Sequence, residues 1–137
     1  MKIYNEQIAL QSQKQREVFN ITTRVKAAAE KSGVRDAIAV VSSLHSNTAV
    51  IVTVDEPGLL EELGGWLAEI SSSQNAYKHQ GRLESAADIH FQSLLLHHQV
   101  LVPITEGRLE LGERQAIFFV ELNGVRPRRI VVKIIGE

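Results

Sequence analysis

The side chains best suited to chemistry in this sequence are histidines that stand among polar residues on three separate segments. His45 falls in Leu-His-Ser-Asn-Thr, His79 in Tyr-Lys-His-Gln-Gly, and His90 follows Asp88 by two residues. Imidazole is the usual nitrogen ligand of zinc and related cations, and three protein ligands with an open position make a catalytic metal site. No short-range spacing such as His-Glu-x-x-His links them, so anion binding and ordinary hydrogen bonding stay open.

The neighbours of His90 limit which groups can share a site with it. On a helix, residues two apart point about 200° away from each other. Asp88 and His90 therefore serve one site only if their segment begins as a loop. The consecutive His97 and His98 are expected at the end of this helix, where they would interact with free carbonyl groups.

Other catalytic classes lack their signatures. The chain has no cysteine, which excludes disulfides, zinc ribbons and thiol catalysis. Neither a Gly-x-Ser-x-Gly elbow nor a glycine-rich phosphate loop is present. A phosphate could still be held by basic side chains together with helix N-terminal amides. The basic candidates are Lys78, Arg82, Arg108 and Arg114.

Composition predicts one soluble globular domain over residues 1–137, with 44% hydrophobic and 23% charged residues. A formal net charge of −1 gives no field that would attract nucleic acid or an anionic membrane. The basic cluster Arg126-Pro-Arg-Arg129 is interpreted as a solvated turn. No apolar run of about 18 residues and no signal-peptide pattern occur, so we expect a cytoplasmic protein.

Hydrophobic periodicity predicts strands, then helices, then strands again. A threonine cap is expected at the first helix and Gly33 at its end. The second helix is expected to open at Asp-Glu-Pro-Gly, with an acidic cap and with Pro57 in its first turn. Strands are predicted at residues 2–10, 16–21, 36–42, 49–54, 99–105, 108–111, 115–122 and 128–135, and helices at about 23–32, 55–70 and 86–96.

Three local patterns refine the strand arrangement. The runs at 36–42 and 49–54 are apolar on both faces, which predicts interior strands that aim His45 from the loop between them. Asn123-Gly124 between two hydrophobic runs predicts a hairpin. Pro103 predicts that its strand lies at an edge or a bulge.

The order of elements favours an α+β fold with a mostly antiparallel sheet or sandwich and two to three helices. Two or three helices cannot cover all the apolar surface of the C-terminal strands, so we expect a closed homo-oligomer. Trp66 belongs to the apolar stripe of the second helix and is interpreted as a core or interface residue.

Several short segments, spread over nearly the whole chain, have a recognisable order and spacing. They are Asp-Glu-Pro-Gly-Leu-Leu-Glu-Glu-Leu at 55–63, Tyr-Lys-His at 77–79, His-Phe-Gln-Ser-Leu-Leu-Leu at 90–96, Val-Pro at 102–103, Gly-Arg-Leu-Glu-Leu-Gly at 107–112 and Gln-Ala-Ile-Phe-Phe-Val-Glu-Leu at 115–122. Together they resemble the YjbQ-like family, often labelled secondary thiamine-phosphate synthase. The resemblance implies a compact α+β domain that assembles as a homotrimer, with histidines gathered in a pocket suited to a metal or a small anion.

The resemblance also assigns candidate site residues. The catalytic and metal-binding set is His45, His79 and His90. Where the family commonly has a lysine, this chain has Gln92, which removes a positive charge that would meet a phosphate. Together with two residues chosen from the sequence itself, Asp88 and Arg114, the candidate substrate-binding set is Tyr77, Asp88, Gln115, Glu121 and Arg114.

The family label implies that hydroxymethylpyrimidine diphosphate is joined to thiazole phosphate with release of pyrophosphate. This reaction must stabilise a leaving diphosphate, usually with a divalent metal such as Zn, Mg, Mn or Ni and with cationic side chains. The expected partner is therefore a small phosphorylated metabolite, without nucleic acid or membrane. Two alternatives remain open: a non-catalytic homo-oligomer that binds a small molecule or anion, and a metal-dependent phosphoester hydrolase.

Overall fold

The computed structural model describes residues 1–71 and 87–137, and within these ranges the chain forms eight strands and three helices. The strands are β1 (Lys2–Gln11), β2 (Glu17–Asn20), β3 (Asp36–Ser43), β4 (Thr48–Val54), β5 (Gln99–Thr105), β6 (Arg108–Leu109), β7 (Gln115–Glu121) and β8 (Pro127–Gly136). The helices are α1 (Thr22–Ser32), α2 (Pro57–Ile70) and α3 (Ala87–Leu96). None of these helices is long and apolar enough to span a membrane.

The strands form two antiparallel sheets, with orders β1-β8-β3-β5-β6 and β2-β7-β4. Alternate residues of β8 are buried, because one face of its sheet lies on the core. Almost all of β7 is buried, since its second face is covered by α2 and α3. The main core packs both sheets against α1, whose buried residues are Val25, Ala28 and Ala29. The predicted α+β sandwich is confirmed.

The helix ends follow the sequence signals in part. Gly33 ends α1 with a φ of 69°, a left-handed conformation that glycine adopts without strain. The predicted threonine cap is wrong: Ile21 precedes α1, and the Thr22 hydroxyl instead accepts the N–H of Ile117 at 2.8 Å. Pro57 lies in the first turn of α2 as predicted, and the residue at the cap, Glu56, is acidic but makes no side-chain cap hydrogen bond. Trp66 is 51% exposed, so it is not a core residue, and its role at an interface stays a prediction.

Two strand predictions are wrong, because successive strands change sheets. β7 and β8 do not form the predicted Asn-Gly hairpin, since β7 pairs with β2 and β4 while β8 pairs with β1 and β3. At the crossing, the Gly124 N–H donates to the Gln15 carbonyl, which ties the turn to the segment before β2. β3 is interior as predicted, but β4 is an edge strand, and the N–H of Val50 donates to the His97 carbonyl at 3.2 Å.

Pro103 lies where its missing N–H leaves no gap in the ladder. It sits opposite Ile38 of β3, while its carbonyl accepts the N–H of Glu110 on the other side. In an antiparallel strand the N–H and C=O of one residue point to the same side, so the absent donor faces the side where only two-residue β6 pairs. The predicted edge strand is wrong, because β5 lies between β3 and β6, and Pro103 is accommodated just beyond the short β5–β6 pairing.

The outer face of the five-stranded sheet carries an apolar surface, defined here as Ile3, Ile38, Leu101 and Ile135. Ile135 of β8 is opposite both Ile3 and Ile38, which places these side chains in one row across the strands. Ile3, Ile38 and Leu101 are 62%, 51% and 63% exposed. The described helices pack elsewhere, α1 in the main core and α2 and α3 on the three-stranded sheet.

Candidate functional site

An open cleft of ≈ 660 Å³ lies where the β3–β4 connection meets α3 and the start of β5. We call it the histidine cleft, because four of the five histidines of the sequence line it. It brings together predicted site residues from two distant segments. Its lining residues are Ser43, Leu44, His45, Ser46, His90, Ser93, Leu94, His97 and His98.

His45 is held by the backbone at the start of β8. The N–H of Arg129 donates to Nε2 of His45 at 3.0 Å, and the N–H of Leu44 donates to the Arg129 carbonyl at 3.4 Å. The β3–β8 pairing ends at Ser43 and Ile130, so the imidazole extends the ladder by one more bond. Because Nε2 accepts a hydrogen bond, the proton of the neutral ring sits on Nδ1.

The electrostatic surroundings favour the neutral form of His45. Burial, followed by the positive charges of Arg128 and Arg129, lowers the pKa of His45 below its ordinary value of 6.5. The negative charge of Glu121 opposes the shift without reversing it. At neutral pH His45 is therefore an uncharged imidazole whose donor is Nδ1–H.

His90 projects from the first turn of α3 to the loop that carries His45. Its Nδ1 lies 3.0 Å from the Ser46 carbonyl, which can only accept, so Nδ1 carries a proton and donates it to this carbonyl. Asp88 lies within the same helix, is 8% exposed and does not line the cleft. Because α3 begins at Ala87, Asp88 and His90 both lie on the helix, and their side chains point in different directions, as expected for residues two apart.

The serines of the cleft hold the loop together. The hydroxyls of Ser43 and Thr48 share a hydrogen bond of 2.5 Å, and the Ser43 hydroxyl also accepts the N–H of His45 at 3.2 Å. The Ser93 hydroxyl donates to the Thr48 carbonyl at 2.5 Å, which joins α3 to the start of β4. These contacts give both hydroxyls structural partners and fix the position of the imidazoles.

His97 and His98 line the cleft, although the sequence suggested only helix-terminal roles for them. The N–H of His97 donates to the Ser93 carbonyl at 2.9 Å, and its φ of 74° ends the helix. The His98 carbonyl accepts the N–H of Ser43 at 2.8 Å, so the pair lies beside the strand end that carries His45. Adjacent histidines at a helix–strand junction were the available signal, but only the β3–β5 pairing places them here.

Glu121 is buried beneath this region and does not line the cleft. Its carboxylate accepts from Nε and Nη2 of Arg128 at 2.7 and 2.6 Å, and from the N–H of Asn123 at 3.1 Å. Burial alone would raise the pKa of Glu121, but these bonds and one from the Ser12 hydroxyl bring it below 4.5. Arg128 is 3% exposed, so the interpretation of residues 126–129 as a fully solvated turn is wrong for this residue.

The remaining predicted substrate-binding residues lie apart from the cleft. Arg114 and Gln115 stand at the opposite end of β7 from Glu121, six residues or about 20 Å away. The Gln115 side chain accepts the N–H of Gly112 at 2.8 Å. Within one chain the described structure does not bring Arg114 or Gln115 to the histidines. Tyr77 and His79, together with the basic candidates Lys78 and Arg82, lie outside the described residues.

Gln92, which stands where the family commonly has lysine, is 1% exposed and does not line the cleft. Its side-chain oxygen accepts from Nη2 of Arg16 at 2.8 Å, while its nitrogen donates to the Ser71 carbonyl at 3.0 Å. Gln92 therefore joins α3 to the segment before β2 and to the end of α2.

The predicted metal site depends on which donors the described part of the chain brings together. Among residues 1–71 and 87–137, no three or more His, Asp or Glu side chains are placed to hold one metal ion. Nε2 of His45 is committed to Arg129, and Nδ1 of His90 to Ser46. The described donors alone do not make a metal site, and the third predicted ligand, His79, lies outside them.

The protein is an antiparallel α+β sandwich with an imidazole-lined cleft at the end of its strands. A family model described as "UPF0047 protein YjbQ-like" matches residues 6–137. A UPF0047 protein of Methanothermobacter thermautotrophicus is 34% identical over 137 residues, which cover 100% of this chain and 95% of that protein. Another, of Archaeoglobus fulgidus, is 36% identical over 127 residues, which cover 93% and 98%.

A solved structure shows the same fold. The crystal structure of a YbjQ-like protein of unknown function from Sulfolobus solfataricus P2 matches with a TM-score of 0.94 at 33% identity, covering 99% of both chains. The chain belongs to the YjbQ-like UPF0047 family, and the resemblance expected from its segments is confirmed.

Proposed function

We propose that this protein binds a small phosphorylated metabolite in the histidine cleft and acts as a transferase of the secondary thiamine-phosphate synthase kind. The observation that carries the proposal is that four imidazoles from the β3–β4 loop, α3 and the following turn line one open cleft. Its volume of ≈ 660 Å³ lies in the range usual for small-molecule sites.

The donors of the cleft suit a phosphate group. Phosphate oxygens accept hydrogen bonds, and each neutral imidazole offers one N–H. His45 offers Nδ1–H, because its Nε2 is occupied by the Arg129 backbone. Arg129 itself adds an exposed positive charge close enough to lower the pKa of His45. Hydrogen-bond donors and a nearby cation favour an anionic group.

The proposed reaction uses these donors on the leaving group. The bond between the pyrimidine methylene carbon and the diphosphate oxygen breaks, the thiazole nitrogen forms the new bond to that carbon, and pyrophosphate leaves with the electron pair. Fixed donors that hold the diphosphate stabilise the negative charge as it develops. We assign this holding role to His45, His97 and His98, with Arg129 as the supporting charge.

A divalent-metal site is the second candidate, favoured by one observation. The Nδ1–H of His90 is held by the Ser46 carbonyl, the kind of contact that fixes Nε2 as the ligand atom in metal-binding imidazoles. His90 and His79 would be ligands, and His45 would join them only if the Arg129 N–H released Nε2, so that the proton moved there and Nδ1 gained the lone pair. Bound Zn, Mg, Mn or Ni would supply a Lewis acid, either for the transfer or for phosphoester hydrolysis. This candidate requires near-stoichiometric metal in untagged protein and its loss in His90→Asn, measured by elemental analysis.

Our proposal includes a homotrimer in the cytoplasm, the compartment suited to a charged metabolite that does not cross membranes unaided. The apolar surface of Ile3, Ile38, Leu101 and Ile135 supports self-association. The whole outer face of four neighbouring strands, which also includes Lys133, has about 25 Å of exposed length and presents roughly 480 Å² per copy, or about 960 Å² for two copies. That area is close to the roughly 1,000 Å² expected of a specific contact.

The test combines binding and turnover. We expect wild-type protein to bind inorganic phosphate and pyrophosphate by calorimetry and to form thiamine phosphate from the two substrates. His97→Asn removes one imidazole and keeps a residue that tolerates a positive φ, so it should weaken binding about tenfold without loss of folding. Lys31→Gln, an exposed position on α1, is the control and should change neither.

Binding without turnover would leave the non-catalytic anion-binding alternative and refute the transferase. Phosphoester hydrolysis that depends on added metal would favour the second candidate instead. Absence of binding to both phosphate and pyrophosphate would refute the cleft as the anion site.

A further inference from the structure

We propose that the buried Glu121–Arg128 ion pair is a positioning unit that fixes His45 with its proton on Nδ1, without touching the ligand. The inference rests on the proposed function, since the reason for such positioning is the anion that His45 would bind. The pair itself lies behind the histidine cleft, because neither residue lines it.

The pair joins the two sheets at the end where His45 is found. Glu121 ends β7 in the three-stranded sheet, and Arg128 begins β8 in the five-stranded sheet. Their two hydrogen bonds, at 2.7 and 2.6 Å, form a bidentate fork between side chains that are 0% and 3% exposed. A bidentate guanidinium–carboxylate pair fixes both distance and orientation.

A second set of bonds holds the guanidinium from the crossing turn. The N–H of Asn123 donates to Glu121 at 3.1 Å, and its carbonyl accepts from Nη2 of Arg128 at 3.5 Å. The same carbonyl accepts from Nε of Arg126 at 3.1 Å. The start of β8 is therefore anchored through side chains just before its pairing with β3 begins.

The ion pair acts on His45 through the planar peptide unit that links Arg128 to Arg129. The next residue, Arg129, donates its N–H to Nε2 of His45 at 3.0 Å. Its carbonyl accepts the N–H of Leu44 at 3.4 Å. Because the peptide linking Arg128 to Arg129 is planar, fixing the first residue limits the direction of the second N–H. An imidazole in water favours the proton on Nε2, so the Nδ1–H form has to be enforced by such a donor.

Stability alone is a weak reason for this pair. Removing two charges from water costs about as much as their attraction returns, and well-packed apolar replacements are often as stable. An apolar pair would not hold the start of β8 in a fixed orientation, as the bidentate ion pair does. The charge of Arg128 also acts in the same direction, since it contributes to the lowered pKa of His45.

The experiment removes the pair without leaving a buried charge. Glu121→Gln/Arg128→Met keeps an acceptor for the Asn123 N–H and a side chain of similar length at 128. The matched control, Glu6→Gln/Lys31→Met, makes the same replacements in an exposed ion pair of 3.5 Å. The readouts are the ring-nitrogen shifts of His45 by ¹⁵N NMR, which report the position of the proton, and calorimetric affinity for pyrophosphate.

We expect wild type and control to show His45 with Nδ1–H, and the Glu121/Arg128 double variant to show a mixture of tautomers with about tenfold weaker pyrophosphate binding. Unchanged ring shifts in the folded double variant would overturn the positioning role. Changed shifts with unchanged affinity would overturn the link to the anion. If wild type has the expected tautomer but binds no pyrophosphate, the proposed function fails while the positional contact stands.

Discussion

Breaking the ion pair by removing only its acidic member gives a prediction whose size follows from burial. Glu121→Leu would leave the guanidinium of Arg128, 3% exposed, without its charged partner. Removal of one member of a buried pair costs about 3–5 kcal/mol. The unfolding entropy is about 2.1 cal/mol/K per residue, or about 0.29 kcal/mol/K for 137 residues. The melting temperature should therefore fall by about 10–17 °C.

The control for this loss is Glu6→Leu, which breaks the exposed pair with Lys31. Exposed pairs contribute about 0–1 kcal/mol, so this variant should shift the melting temperature by at most about 3 °C. Differential scanning calorimetry at neutral pH measures both. A Glu121→Leu shift no larger than that of the control would refute the reasoning, because it would mean that the unpaired guanidinium is readily solvated.

Three further predictions test other parts of the structure. The pKa of Glu121 is lowered on folding, so its contribution to the free energy of unfolding is present above 4.5 and lost as pH falls through the lowered value. In urea titrations wild type should therefore lose more of its free energy of unfolding over that range than Glu121→Gln/Arg128→Met, and equal losses would contradict the lowered pKa. Ile38→Lys/Leu101→Lys places charges on the outer sheet face and should reduce the mass in light scattering to the 15.2 kDa of one chain; an unchanged mass would exclude this face as the contact. Gly33→Ala puts a Cβ at a φ of 69° and should destabilise by about 1 kcal/mol in urea unfolding, whereas an unchanged midpoint would contradict the strain expected there.

Local signals predicted most elements of this fold. The apolar alternation of β8, Pro57 at the start of α2 and Gly33 at the end of α1 act within one or two turns of chain, so sequence alone reveals them. The pairing of strands is a different matter. Asn123-Gly124 has the composition of a hairpin turn, but the flanking strands lie in different sheets, and contacts with Ser12–Gln15 far away in the chain hold the crossing.

The sequence predicted only part of the candidate site. Polar surroundings identified His45 and His90, and both line the cleft. The contribution of His97 and His98 depends on β3–β5 pairing, and the burial of Arg128 depends on a carboxylate seven residues earlier that sits in another sheet. Contacts between different strands and sheets produce no periodic pattern in a sequence. An arginine in a basic cluster therefore looks the same whether it is solvated or paired.

The position of β8 inside the five-stranded sheet determines when that sheet can form during synthesis. β8 comes last in the chain yet lies between β1 and β3, and Gln11 is paired with Pro127, 116 residues later. At about 5–20 residues per second, synthesis takes roughly 6–23 s to cover that separation. Throughout that time β1 has no partner, and one edge of β3 is open. The main sheet can therefore close only after β8 has been made, through contacts far apart in the chain, which are slow to form. Until then the backbone groups of β1 and of one edge of β3 are open to pairing with other chains.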